Sequence, residues 1–151
     1  MKKINDYRKL LGVEKNTELK ELKSIYRNMM KSYHPDKFVD DHDQKIEAEE
    51  KSKEIIEAYH FLVSISRETI EQGSEEFNST LSSAGMVDFH FEKSILKVIY
   101  DNGNTYEFFG VPHKIYTKMV NSESYGRFVR RHISETYPYR NISKRVALAE
   151  V

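Results

Sequence analysis

Residues 19–37 read Leu19-Lys20-Glu21-Leu22-Lys23-Ser24-Ile25-Tyr26-Arg27-Asn28-Met29-Met30-Lys31-Ser32-Tyr33-His34-Pro35-Asp36-Lys37. Leu19, Leu22, Tyr26, Met29, Met30 and Tyr33 recur three and four residues apart, the repeat of one helix face, so the stretch is an amphipathic helix with a core stripe. Lys20, Lys23, Arg27 and Lys31 share that spacing on another face and form a basic stripe. Asn16 or Thr17 is the expected N-cap, because a short polar side chain can accept from the first free amides. Pro35 ends the helix, since it has no amide hydrogen to donate and pushes His34 out of the helical region. The expected product is a stiff, exposed bend that presents His34 and Asp36 to solvent.

A second long helix is predicted from about Asp43 or Gln44 to about Ser64. Its inner face is Ala48, Ile55, Tyr59 and Leu62, interrupted by Ser52, and Asp41 or Asp43 lies near its N-terminus. A short helix before Gly12, with Tyr7, Leu10 and Leu11, can close the groove between the two long helices. Residues 1–66 thus read as an all-α helical hairpin domain. Residues 67–81 are polar and acidic, with Gln72-Gly73-Ser74 and Asn78-Ser79-Thr80, and read as a linker whose start can add a helical turn.

From residue 82 to 151 the apolar period changes to two. Val87, Phe89 and Phe91 alternate with Asp88, His90 and Glu92, and Leu96, Val98 and Tyr100 alternate with Lys97 and Ile99. Asn102-Gly103 should supply the positive φ angles of a tight primed turn before Thr105–Phe109, which makes a three-stranded antiparallel meander. After Gly110-Val111-Pro112 helical spacing returns at Ile115, Tyr116 and Met119, and again at Phe128, Val129 and Ile133. The fold class expected overall is α+β: an all-α domain followed by a small α+β domain with the meander and C-terminal helices.

Composition narrows the function. Basic and acidic side chains balance at 24 each, so net charge argues neither for nucleic acid nor for an anionic membrane, although residues 82–151 hold 10 basic against 7 acidic. With no cysteine, disulfides, thiolate metal sites and a thiol nucleophile are excluded. The N-terminus meets Asp6 and Arg8 before any apolar run, so it does not read as a secretory signal, and the longest charge-free stretch, Phe77–Val87, is too short and polar to span a bilayer. The expected compartment is the cytoplasm. His34 and Asp36 have no third partner at a useful spacing, which argues against a catalytic dyad or a metal site.

Residues 5–66 resemble the J-domain of the DnaJ cochaperone family. The resemblance is carried by Asp6-Tyr7, Leu10-Leu11-Gly12-Val13, Leu22, Tyr26-Arg27, Tyr33-His34-Pro35-Asp36-Lys37, Glu54-Ile55-Ile56-Glu57-Ala58-Tyr59 and Leu62. It implies that His34, Pro35 and Asp36, with Lys23, Tyr26, Arg27 and Lys31, dock on the ATPase of a DnaK-type chaperone and stimulate it. Asp36 could accept from a partner arginine, and the basic stripe could steer an acidic surface. Two departures from the family pattern are Ser52, where an aromatic is usual, and Asn28, where a base is frequent. Met29, Met30 or Phe38 would then have to fill the space at Ser52.

Residues 82–143 resemble the KTSC domain, a small module found alone and at the C-terminal end of some lysyl-tRNA synthetases. Gly103, Tyr106, Phe108, Val111-Pro112, Tyr116, Ser124, Gly126, Phe128, Ile133 and Tyr137-Pro138 carry that likeness. Arg127, Arg130, Arg131, Tyr137, Tyr139 and Arg140, followed by Lys144 and Arg145, interleave cations with aromatics, a composition suited to single-stranded RNA if those side chains are exposed. Ser124 and His132 lack an acid to orient them as a hydrolase would require.

The expectation is a non-enzymatic J-domain cochaperone without cofactor or metal, whose C-terminal domain selects the client or site. The alternatives are an RNA- or ribosome-associated binding protein with a weakened J-domain, and a self-contained holdase with an apolar patch on the meander.

Overall fold

Why residues 19–37 turn where they do is visible in the backbone. His34 takes φ −66° and ψ 131°, the extended geometry a following proline demands. In the computed structural model, which describes residues 2–38 and 41–143, α1 (Lys2–Leu11) and α2 (Leu19–Tyr33) precede a 3-10 turn at Pro35–Phe38. Then come α3 (His42–Ser64) and α4 (Arg67–Ser83). Strands β1 (Met86–Glu92), β2 (Ile95–Tyr100) and β3 (Thr105–Phe109) follow, with α5 (His113–Val120), α6 (Tyr125–Phe128), a π-helical turn (Val129–Ile133) and β4 (Tyr139–Asn141). The chain divides into two compact units, Met1–Glu68 and Thr69–Val151.

In the first unit α1 and α2 both pack on α3. Tyr26 stacks on Tyr59 with ring centres 3.9 Å apart, while Tyr33 lies under Lys51 at 6.0 Å, so α2 and α3 run antiparallel. Ile4, Leu11, Leu22, Ala48, Ile55, Ala58, Tyr59, Phe61 and Leu62 are buried. Of the expected α2 stripe only Leu22 is fully buried; Leu19, Tyr26, Met29 and Met30 are half-buried, and Tyr33 is 39% exposed because it sits at the helix end. Ser52 is buried, and its hydroxyl donates to the Glu49 carbonyl at 3.0 Å, so the break in the stripe leaves no free polar atom. Met29, Met30 and Phe38 are half-buried.

Asp41 is the N-cap of α3, its carboxylate accepting from the Gln44 amide at 3.1 Å. The N-cap of α2 is neither Asn16 nor Thr17. Thr17 Oγ1 accepts from the Glu14 amide, Glu18 holds the cap position without a side-chain bond, and the Leu19 amide donates to Glu68 Oε2 at 3.2 Å. A carboxylate 49 residues away suits the positive end of α2 as well as a local cap would.

Residues 67–81, expected as a linker, form α4 instead. Phe77 and Leu81 are four apart, and both enter the core of the second unit. Between them Thr80 accepts from the side-chain amides of Asn102 and Asn104, at 2.9 and 3.0 Å, which fastens the helix to the turn between β2 and β3. The polar residues that suggest a linker are the outward face of this helix, together with those bonds.

The strands form one antiparallel sheet in the order β1-β2-β3-β4, the meander plus a short fourth strand. Phe91 opposite Leu96 and Phe108, and Phe89 opposite Val98 and Tyr106, place these side chains on one face. Phe77, Leu81, Met119, Val129 and Ile133 pack in the same core. On the other face His90, Lys97, Glu107 and Arg140 lie side by side across all four strands. Val87, expected on the inner face, is 64% exposed because the register shifts by a bulge between Met86 and Asp88.

The tight primed turn expected at Asn102-Gly103 is found at the other hairpin. At Asn102-Gly103 only Gly103 has positive φ, +89°, and bonds from the Gly103 amide to the Tyr100 carbonyl and from the Tyr100 amide to the Asn104 carbonyl close a three-residue loop. The two-residue turn with positive φ at both positions is Lys93-Ser94, at 52° and 63°.

Candidate functional site

The bend after α2 is held by its own backbone. The Asp36 amide donates to His34 Nδ1 at 3.3 Å, and the Lys37 amide donates to the His34 carbonyl at 3.1 Å. Because Nδ1 accepts, the ring proton of neutral His34 sits on Nε2 and is free to donate outward. Asp36 Oδ2 lies 3.5 Å from the same Nδ1, with the two side chains 50% and 87% exposed for His34 and Asp36. A donor and a carboxylate are thus fixed side by side in water. No group of three histidines or carboxylates that could hold a metal occurs among the described residues. The geometry suits recognition of another protein.

The approach to the bend is cationic. Lys20, Arg27 and Lys31 are exposed and Lys23 is half-buried, and none of the four is ion-paired among the described residues. Tyr26 stands among them as a rigid plate on the Tyr59 ring, and burial raises the pKa of its hydroxyl. Lys23, Tyr26, Arg27 and Lys31 therefore share α2 with the bend at its end. Pro35 opens the 3-10 turn that carries Asp36.

The second group of candidates does not stay together. Arg127, Arg130 and Arg131 are exposed on α6 and the π-helical turn. Tyr137 is half-buried against the core. Tyr139 stacks on Phe77 with centres 3.8 Å apart and planes 9° from parallel, so it offers no free face toward α4. Burial, and then the neighbouring Tyr106, push its pKa up to about 12. Arg140 is buried, and its Nε donates to Glu107 Oε1 at 2.7 Å across the β3–β4 pair. Tyr139 and Arg140 are parts of the fold, which removes them from a nucleic-acid surface. Lys144 and Arg145 lie outside the described residues. Ser124 caps α6 by accepting from the Arg127 amide at 3.3 Å, and His132 tilts against Phe128 with centres 4.8 Å apart, so the pair has no hydrolase geometry.

What the sequence could not signal is the support of α2 from far along the chain: Glu68 at its N-terminus and Tyr59 beneath its middle.

Fold and site define a helical-hairpin module with an exposed His-Pro-Asp bend, followed by a separate α+β module. Residues 6–70 match the DnaJ domain and residues 82–137 match the KTSC domain, so the chain carries a J-domain followed by a KTSC domain. It is similar to proteins named Chaperone protein DnaJ. That of Hydrogenobacter thermophilus is 40% identical over 80 residues, 53% of this chain and 19% of the relative. The one from Fusobacterium nucleatum subsp. polymorphum is 50% identical over 58 residues, 38% of this chain and 15% of the relative. In Thermoplasma volcanium it is 39% identical over 89 residues, 57% of this chain and 24% of the relative. The similarity thus spans less than a quarter of each relative.

Proposed function

We propose that this protein is a J-domain cochaperone, not itself an enzyme, which binds the ATPase of a DnaK-type chaperone and stimulates it. Residues 1–66 act as the J-domain in this reading, with His34, Pro35 and Asp36 carrying the stimulation and Lys23, Tyr26, Arg27 and Lys31 orienting the complex. The KTSC domain, within residues 82–151, selects the client or site. The observation that supports this most is the exposed His34–Asp36 pair at the end of a helix whose basic stripe makes no ion pair among the described residues. Steering by that stripe brings the acidic surface of a partner to the bend, where a partner arginine donating to Asp36 fixes the register. Single-turnover ATP hydrolysis by a DnaK-type chaperone should accelerate on addition of the protein and return to the basal rate with His34→Gln. Because His34 is half exposed, that substitution should leave the thermal midpoint unchanged. No acceleration by the wild-type chain would overturn the reading.

Three exposed arginines on the C-terminal unit support a second reading, RNA binding. If Arg127, Arg130 and Arg131 each neutralise one phosphate, the logarithm of affinity for a labelled single strand should fall against log salt with a slope of about −2. The triple Gln variant should flatten that slope; an unchanged slope removes these residues from the interface.

A further inference from the structure

The loop that joins β2 to β3 is tied to α4 by side-chain amides. Asn102 Nδ2 donates to Thr80 Oγ1 at 2.9 Å, and Asn104 Nδ2 donates to the same oxygen at 3.0 Å and to Glu76 Oε1 at 3.2 Å. Thr80 and Asn104 are buried, whereas Asn102 is exposed. The Asn102 side chain is bonded at both ends, because its Oδ1 accepts from the Asn104 amide at 3.0 Å. Its place in the sequence gives that restraint a chemical meaning. Asn102 is followed by Gly103, and no other asparagine of the chain precedes a glycine.

An asparagine in that position is labile. The next backbone nitrogen can attack the side-chain carbonyl carbon, and glycine hinders the approach least because it has no Cβ. In the first step the Gly103 nitrogen gives its proton to hydroxide or water and bonds to Asn102 Cγ, and the Cγ–Nδ2 bond breaks to release ammonia. The product is a five-membered succinimide. Water then opens the ring at either carbonyl and leaves an aspartate or an isoaspartate at position 102. Solvent supplies every co-reactant, and Asn102 is exposed to it.

The folded loop opposes the first step at both reacting groups. The Gly103 N–H donates to the Tyr100 carbonyl at 3.0 Å, and the leaving nitrogen, Nδ2, is held on Thr80. Both bonds must open before the Gly103 nitrogen reaches Cγ, and the second opens when α4 lifts from the loop. From this arrangement we propose that Asn102 is a site of spontaneous deamidation gated by the docking of α4, and that its product weakens the seat of that helix. A carboxylate has no N–H to give Thr80. It also brings a second negative charge close to Glu76, because Asn104 bonds both Glu76 and Thr80. Loosening of α4 thus promotes the reaction, and the reaction favours the loosened helix.

The test incubates the full chain in mildly alkaline buffer, folded and in urea, and follows the peptide containing Asn102 by mass spectrometry, where conversion adds one mass unit. Conversion in the folded chain should be at least tenfold slower than in urea. Thr80→Val, which keeps the shape and removes the acceptor, should speed it at least threefold in the folded chain. Asn102→Asp should lower the thermal midpoint of the second unit. The comparison of folded and unfolded wild-type chain stands even if Thr80→Val fails to fold. Equal rates in the folded chain and in urea, no conversion in urea, a folded Thr80→Val chain that reacts no faster than wild type, or an Asn102→Asp chain as stable as wild type would each overturn the assignment.

Discussion

Arg131 and Arg140 have the same chemistry and opposite fates. Arg131 is exposed on the π-helical turn, whereas Arg140 is buried against Glu107, 2.7 Å from its carboxylate. Removing one partner of such a pair strands the other charge, at a cost of about 3–5 kcal/mol, so a loss of RNA affinity in an Arg140 variant would report unfolding and not contact. Tyr139 carries a similar lesson with a pH signature. Its pKa is about 12 in the folded state, against about 10 for an ordinary tyrosine in the unfolded chain. A raised pKa means that the neutral form is favoured in the native state. That stability is complete below pH 10 and is lost as pH rises through 12. Phenolate absorbance should show Tyr139 titrating near 12, and Tyr139→Phe should flatten the fall in stability as pH rises through that value. Neither fate is legible locally. Tyr139-Arg140 looks like a surface cation beside an aromatic until the third and fourth strands pair.

Among elements, the hairpins and α4 separate what a short sequence window reveals from what it hides. Lys93 and Ser94 both adopt positive φ, without the Asn or Gly that usually makes this conformation easy. The turn is imposed by the pairing on either side, Glu92 with Ile95 and Phe91 with Leu96, and by the right-handed twist that a primed turn matches. Relieving that strain should stabilise the protein: Ser94→Gly is expected to raise unfolding free energy by about 1 kcal/mol in denaturant titration. Asn102-Gly103, the stronger local signal, yields a longer loop because Asn102 and Asn104 are drawn to Thr80 on α4. The helix itself was obscured because its inward residues, Phe77 and Leu81, are sparse among polar ones. By contrast α2, α3 and the bend were plain, since a repeat of apolar residues over four or more turns and a proline act through neighbours in sequence.

For the whole molecule, the chain folds into two compact units, and the second has its own core. Phe77 is buried in the second core against Tyr106, Phe108 and Tyr139. Phe77→Ala should therefore cost about 3–5 kcal/mol. If residues 67–81 were a linker, the same change would be silent. Calorimetry should show that loss in the second unit alone, and stimulation of the chaperone ATPase should persist, because sites with no shared partners act additively. The sequence by itself determined the class of both units, the helical hairpin with its exposed bend and the basic stripe that leads to it. Each depends on periodicity or on the covalent limits of proline, which act over a few residues. Only the tertiary structure decided that Glu68 supports the start of α2, that α4 is a wall of the second core, and that Tyr139 packs on that core while Arg140 pairs with Glu107 on the opposite face of the sheet. These outcomes depend on groups up to 62 residues apart meeting, as Phe77 meets Tyr139, and on the water lost when they do.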